Sequence, residues 1–213
     1  MLDIKTVFII NIILITILSF YMLVVYIKNS RNRAIQFITY FTVLFFFAFI
    51  LFYLRNQIPD FLSIVIANTL FSIAIVSLYI AIKDSLQLDS KWHIRYWIPI
   101  VVFSVGFFIF THLSFNFSSR IYIYCIFVII YCIHFAWLFW IYKSKEFKLF
   151  DTLSSILFLL GVIVFSLVMV SSNIETLSTY YFSNTTFALY LPNIFYFMLN
   201  LWAVVLIKYR IKN

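Results

Sequence analysis

Seven stretches of 16 to 22 residues contain no Asp, Glu, Lys or Arg, and they account for most of a 213-residue chain. They are Val7 to Ile27, Ile35 to Leu54, Phe61 to Ile82, Trp97 to His112, Ile121 to Tyr142, Leu153 to Val170 and Phe187 to Ile207. A hydrocarbon core about 30 Å thick needs roughly 20 apolar residues rising 1.5 Å each, so each run has span length. One charge at a helix centre costs about 2.5 to 3.5 kcal/mol of insertion, against about 0.3 to 0.6 returned by each Leu, Ile, Phe or Val. Every run therefore inserts on its own account. Continuous apolarity contradicts the alternation of a barrel wall, and in lipid only a helix satisfies its backbone within one segment. The expected fold is all-α, a polytopic bundle of seven transmembrane helices forming one domain over residues 1–213.

Composition closes the soluble alternatives. Charged residues make up 10% of the chain, whereas a soluble domain of this size carries about 25%. A net charge of +8 would point to nucleic acid in a soluble protein, but here the cations sit between apolar runs. Their expected partner is the lipid bilayer and not nucleic acid. Twelve of the fifteen Lys and Arg fall in the connections after the first, third and fifth runs and in the tail, with only Lys5, Arg55 and Arg120 on the other side. The positive-inside rule then puts the N-terminus outside and the C-terminus in the cytoplasm of a bacterial inner membrane. Trp92, Trp97, Trp137, Trp140 and Trp202 all fall toward the inner leaflet, either as an interfacial belt or as gap fillers in a Phe-rich bundle. A cleavable signal peptide is not expected: Asp3 offsets Lys5 and no small-residue cleavage site follows the first run.

Cofactor chemistry finds little support. The two glycines, Gly106 and Gly161, are too far apart for a nucleotide-binding loop. Cys125 and Cys132 lie in one apolar run and build neither a disulfide framework nor a four-ligand zinc site. His112 ends the fourth run at the outer side while His134 lies about 20 Å deeper at 1.5 Å per residue, so the two cannot share a haem iron. The last run has no lysine for a retinal Schiff base. Intramembrane carboxylates, the usual mark of ion-coupled transport, are missing from all seven runs.

The candidate site residues are polar groups inside the runs. His134 is the most deeply placed ionisable group, either functional or a neutral imidazole bonded to a neighbouring helix. Asn68 and Ser72 are four apart, Asn193 and Asn200 seven apart, and Asn11 lies in the first run; such spacings share a helical face. They either hydrogen-bond between helices or line a ligand cavity. Tyr180, Tyr181 and Phe182, near Glu175, form an aromatic group before the last run. It is either a ligand contact or an interfacial anchor. Asn116-Phe117-Ser118 and Asn184-Thr185-Thr186 match the glycosylation triplet, a pattern frequent by chance.

Leu2-Asp3-Ile4-Lys5-Thr6, then Leu54-Arg55-Asn56-Gln57-Ile58-Pro59-Asp60-Phe61-Leu62-Ser63-Ile64-Val65 leading into Ala67-Asn68-Thr69-Leu70, resemble the N-terminal membrane region of bacterial GGDEF-type diguanylate cyclases and related sensor proteins. The resemblance covers about residues 1 to 82. It includes an outer turn in which Pro59 stops the preceding helix, Asp60 serves as N-cap of the third span, and Arg55 pairs with Asp60 or with lipid phosphate. It implies a sensory input module acting on a cytoplasmic output, a GGDEF or kinase domain or a partner protein. The chain ends six residues beyond the last run, so no catalytic function is expected of it. A homodimer is compatible with such a module. A small-solute permease or channel, lined by Asn68, Ser72, Asn193 and Asn200, and a membrane subunit that positions a partner are the alternatives.

Overall fold

The computed structural model describes residues 4–88, 96–114, 117–171 and 187–208. Each charge-free run coincides with a helix: α1 Ile4–Lys28, α2 Arg33–Tyr53, α3 Ala67–Ser85, α4 Trp97–Phe108, α5 Phe117–Ile141, α6 Lys148–Ser171 and α7 Phe187–Leu206. Two wider π-type turns extend this set, Phe61–Ile66 leading into α3 and Ile109–Leu113 continuing α4. Among the described residues there is no strand, only a single bridge between Arg55 and Ile58. Five helices are long and apolar enough to cross a membrane, Phe8–Lys28, Arg33–Tyr53, Phe61–Ser85, Ser118–Ile141 and Lys148–Val170, and two apolar helices are shorter, Trp97–Leu113 and Pro192–Leu206. Long apolar helices with Ile, Leu, Val and Phe on the outer surface suggest a membrane protein.

The helices overrun the charge-free runs because capping, not hydropathy, sets where a helix begins. Asn32 caps α2, its side chain accepting the Ile35 amide at 3.2 Å. Ser144 accepts the Phe147 amide at 3.0 Å, and Asp151 reaches back to the Ser144 amide at 3.0 Å. Helix α6 therefore starts at Lys148, five residues before the expected Leu153, and takes a fully buried carboxylate into its first turn. That end of the helix dipole favours an anion.

Packing is sequential: each helix lies against the next, and α7 returns to α1 and α6 to close a ring. Helix α3 also reaches α5, and it is the most enclosed of the long helices. Aromatic rings fill the interior. Phe41, Phe45 and Phe49 recur every fourth residue on one face of α2, with centroids 5.2 and 5.0 Å apart, and Phe45 meets Phe71 of α3 at 5.3 Å. Gly161 lets α6 approach its neighbours closely: a Cβ there would lie 2.6 Å from the Phe195 ring and 2.9 Å from Cys132 Sγ.

The outer turn differs from expectation at Asp60. Its backbone is helical (φ −56°, ψ −32°) and its side chain makes no capping bond. The Pro59 carbonyl already accepts the Leu62 and Ser63 amides at 2.9 and 3.1 Å. Proline, lacking an N–H and fixed near helical φ, suits the opening of a helix, so the start moves one residue earlier and Asp60 becomes a first-turn acid. The tight reversal before it needs Asn56 in the left-handed region, φ 69°, which Asn tolerates better than most residues. Pro192 lies in the second turn of α7, where it removes one backbone donor from the helix.

Candidate functional site

The buried face of α7 carries Asn193, Tyr196 and Asn200, while Ile194, Met198, Leu201 and Val205 face outward. Tyr196 is the centre of the bundle. Its ring touches Phe45 and Phe49 of α2 at 5.3 and 6.0 Å, Phe71 of α3 at 5.5 Å, and Phe165 of α6 at 5.7 Å. Its hydroxyl is hydrogen-bonded to that of Tyr124 on α5. Phenol hydroxyls buried in a core find partners because an unmade bond there costs more than a made one returns. Within one turn of Tyr196, Asn193 Oδ1 accepts from Asn11 Nδ2 of α1 at 3.1 Å. A four-residue stretch of α7 thus contacts α1, α2, α3, α5 and α6 through side chains.

The two expected polar pairs therefore differ in outcome. Asn193 makes the interhelical bond, with Asn11. Asn200 donates to the Tyr196 carbonyl at 2.8 Å, within its own helix, and its buried Oδ1 has no hydrogen-bond partner among the described residues. Asn68 donates to Ile64 O at 2.6 Å and the Ser72 hydroxyl to Thr69 O at 2.8 Å, again within one helix. Buried but bonded locally, neither joins α3 to a neighbour. That role falls to Thr69, whose hydroxyl lies 2.9 Å from Ser104 Oγ of α4.

His134 is a correction. It is exposed on the outer surface of α5, not enclosed, and its Nδ1 donates to Ile130 O at 2.9 Å in its own helix, with Tyr79 of α3 edge-on at 6.4 Å. Depth along a helix does not fix which side of it a residue occupies. Trp202 takes the second of the two readings open to the tryptophans: it is buried, donates from Nε1 to Ser154 Oγ at 2.8 Å, and meets Phe139 and Phe158 at 5.5 and 5.1 Å. It fills the core, while Trp97, Trp137 and Trp140 are exposed. Trp92, Glu175, Tyr180, Tyr181, Phe182 and the triplet at Asn184 lie outside the described residues, as does Asn116 of the other triplet.

Arg120, counted among the outer cations, was not expected to be buried. It lies on the first turn of α5, 6% exposed, where Arg55 repels its charge and Asp60 attracts it. Its signal was available: it is the single cation between the fourth and fifth runs, where a solvent-exposed loop charge would have carried no meaning. At the opposite end Arg33 Nε lies 3.6 Å from Asp84 Oδ2. Among the described residues no three His, Cys, Asp or Glu side chains converge as a metal site would require. Comparison with protein-family models, curated proteins and solved structures found no match to this chain.

Proposed function

We propose that the chain is a sensory input module of a bacterial cytoplasmic membrane, crossing it seven times with the N-terminus outside, and that α7 carries the signal inward as a displacement. The observation that carries this reading is the convergence on Asn193 to Tyr196. A shift in any of α1, α2, α3, α5 or α6 changes a contact made by that stretch. Close-packed interiors transmit such shifts because they have few voids to absorb them. The basic bias of the connections supports the orientation, and the likeness of residues 1 to 82 to membrane regions of GGDEF-type proteins supports the role. In this role the chain performs no catalysis itself, and its partner is a cytoplasmic output.

Against a permease, Asn68 and Ser72 spend their hydrogen bonds on their own helix, and aromatic rings occupy the space that a solute path would need. The test is a reporter of output activity fused after Asn213. Tyr196→Phe and Asn11→Leu should each change its basal level, while Met198→Leu on the outward face should not. Equal output from all three would refute transmission through α7.

A further inference from the structure

We propose that the outward face of α5 around His134 binds the head of a membrane quinol, a 1,4-dihydroxy aromatic ring carried within the bilayer on an apolar tail. The inference rests on the membrane reading alone and not on transmission through α7.

His134 supplies the first argument. It is exposed, and Ile130, Ile133 and Trp137 on the same face are exposed too. Seven residues separate it from the end of α5 at Ile141, about 10 Å at 1.5 Å per residue. Lys143, whose ammonium lies 5.3 Å from the Trp140 ring, marks the level beyond that end at which charge begins. The imidazole therefore faces hydrocarbon, where a polar group without a partner is costly. Its Nδ1 lies 2.9 Å from Ile130 O. A carbonyl can only accept, so Nδ1 carries the proton and Nε2 of the neutral ring is left as an acceptor. Among the described residues Nε2 has no hydrogen bond.

What Nε2 lacks is a donor that arrives through lipid. A second copy meeting this residue with its own His134 would bring another acceptor, so the residue does not pair with itself across a two-fold axis. Phospholipid hydroxyls stay with the headgroups, outside the hydrocarbon. An O–H group carried inward on an apolar tail meets the need.

The rings beside His134 select the carrier. Tyr131, three residues back and so its neighbour on the helix surface, is half-buried, and its hydroxyl makes no hydrogen bond among the described residues. Tyr79 of α3 stands edge-on to both, its ring centroid 6.4 Å from that of His134 and 5.9 Å from that of Tyr131. Trp137 continues the row three residues on. Side chains three apart on a helix have Cβ atoms about 5 to 6 Å apart, a separation that the two oxygens of a para-dihydroxy ring can span, and aromatic flanks suit a flat ring. One quinol O–H donates to His134 Nε2, and the other oxygen accepts from Tyr131. The oxidised quinone has only carbonyls and forfeits the bond to Nε2, so the face favours the reduced form.

The experiment uses the full chain in nanodiscs of one synthetic phosphatidylcholine, which bring no quinone of their own. Three probes share a decyl tail: a benzoquinol kept reduced with ascorbate, the corresponding quinone, and the dimethyl ether of the quinol. Binding is read as a saturable rise in the thermal unfolding midpoint. It is read independently as protection of His134 from diethyl pyrocarbonate, located by mass spectrometry. The quinol should do both. The quinone and the ether, which cannot donate, should each act about fivefold more weakly or less, the loss of one hydrogen bond. His134→Leu, an ordinary side chain toward lipid, should leave the ligand-free midpoint unchanged or higher and weaken the quinol response by a similar factor. Tyr131→Phe should weaken it too, whereas Met198→Leu on the outward face of α7 should not. No response to the quinol, equal responses to all three probes, or a response that survives His134→Leu overturns the site. So does a cross-linked dimer that His134→Leu abolishes without quinol present, because a second copy would then cover the face. Quinol binding that persists while the fused reporter ignores Tyr196→Phe would support the site and refute transmission.

Discussion

Gly161→Ala is the sharpest packing test in the bundle. The added Cβ would stand 2.6 Å from Cε2 and Cζ of Phe195 and 2.9 Å from Cys132 Sγ. Relaxed carbon contacts lie at about 3.5 to 4.0 Å, so the overlap is about 1 Å and involves three helices. The Phe195 ring is 4% exposed and Cys132 3%, so neither can swing into open space. Overpacking of this kind costs about 1 to 3 kcal/mol, and replacing a helical Gly by Ala returns about 1 kcal/mol. The net expectation is a loss of about 1 kcal/mol, measured by reversible unfolding in mixed micelles with increasing dodecyl sulfate. Gly106→Ala is the internal control: among the described residues its Cβ meets only the Ile123 side chain, the flexible tip Cδ1 at 3.0 Å and Cγ2 in ordinary contact at 3.9 Å, so that variant should be neutral or more stable. Phe195→Leu should relieve the Gly161→Ala clash, making the double variant more stable than the two single losses added together, with a coupling of at least about 0.5 kcal/mol. Strict additivity, or a Gly161→Ala protein stabilised like the Gly106 variant, would refute the close approach of α5, α6 and α7.

Tyr196→Phe deletes a buried hydrogen bond to Tyr124 and should cost about 1 kcal/mol or more. Adding Tyr124→Phe should cost less than it does alone, a non-additivity read in the same unfolding assay. Cys125 and Cys132 are 0% and 3% exposed; a membrane-permeant maleimide should label the folded protein slowly and the dodecyl sulfate-unfolded protein readily, and equal rates would mean that the buried face of α5 is open. Asp151→Ala removes the acceptor for the Ser144 amide and should destabilise by about 1 to 2 kcal/mol as lost helix-end caps do, measured by unfolding, with no loss if that end of α6 is frayed.

Helix positions were legible because charge is expensive in hydrocarbon, so its exclusion marks each run independently of its neighbours. The side of a helix was not legible, for the same physical reason. In a soluble bundle the outward face is polar and betrays itself as a stripe, but here inside and outside are both apolar. His134, the most deeply placed ionisable group by its position in the run, is therefore exposed, and Trp202 is enclosed while Trp97, Trp137 and Trp140 are not. Asn11 and Asn193 bond across helices while Asn68 and Ser72 bond within one, a difference no spacing encodes, since both patterns need only a polar side chain on a buried face. Phe41, Phe45 and Phe49, four residues apart, pack as one face of α2, but a Phe-rich run holds many such spacings and the face stands out only once its neighbours are placed. Tyr196 as the common partner of α2, α3, α5 and α6 depends on tertiary neighbours and could only come from the fold.

The central claim is a chain that crosses the membrane an odd number of times with its basic tail in the cell. Paired fusions after Asn213 test it most directly, one to a fluorescent protein that matures only in the cytoplasm and one to a phosphatase active only outside it, each checked for retention in carbonate-washed membranes. The account predicts a fluorescent, phosphatase-negative, membrane-retained chain. An active phosphatase, or release of the protein into the soluble fraction, would contradict it.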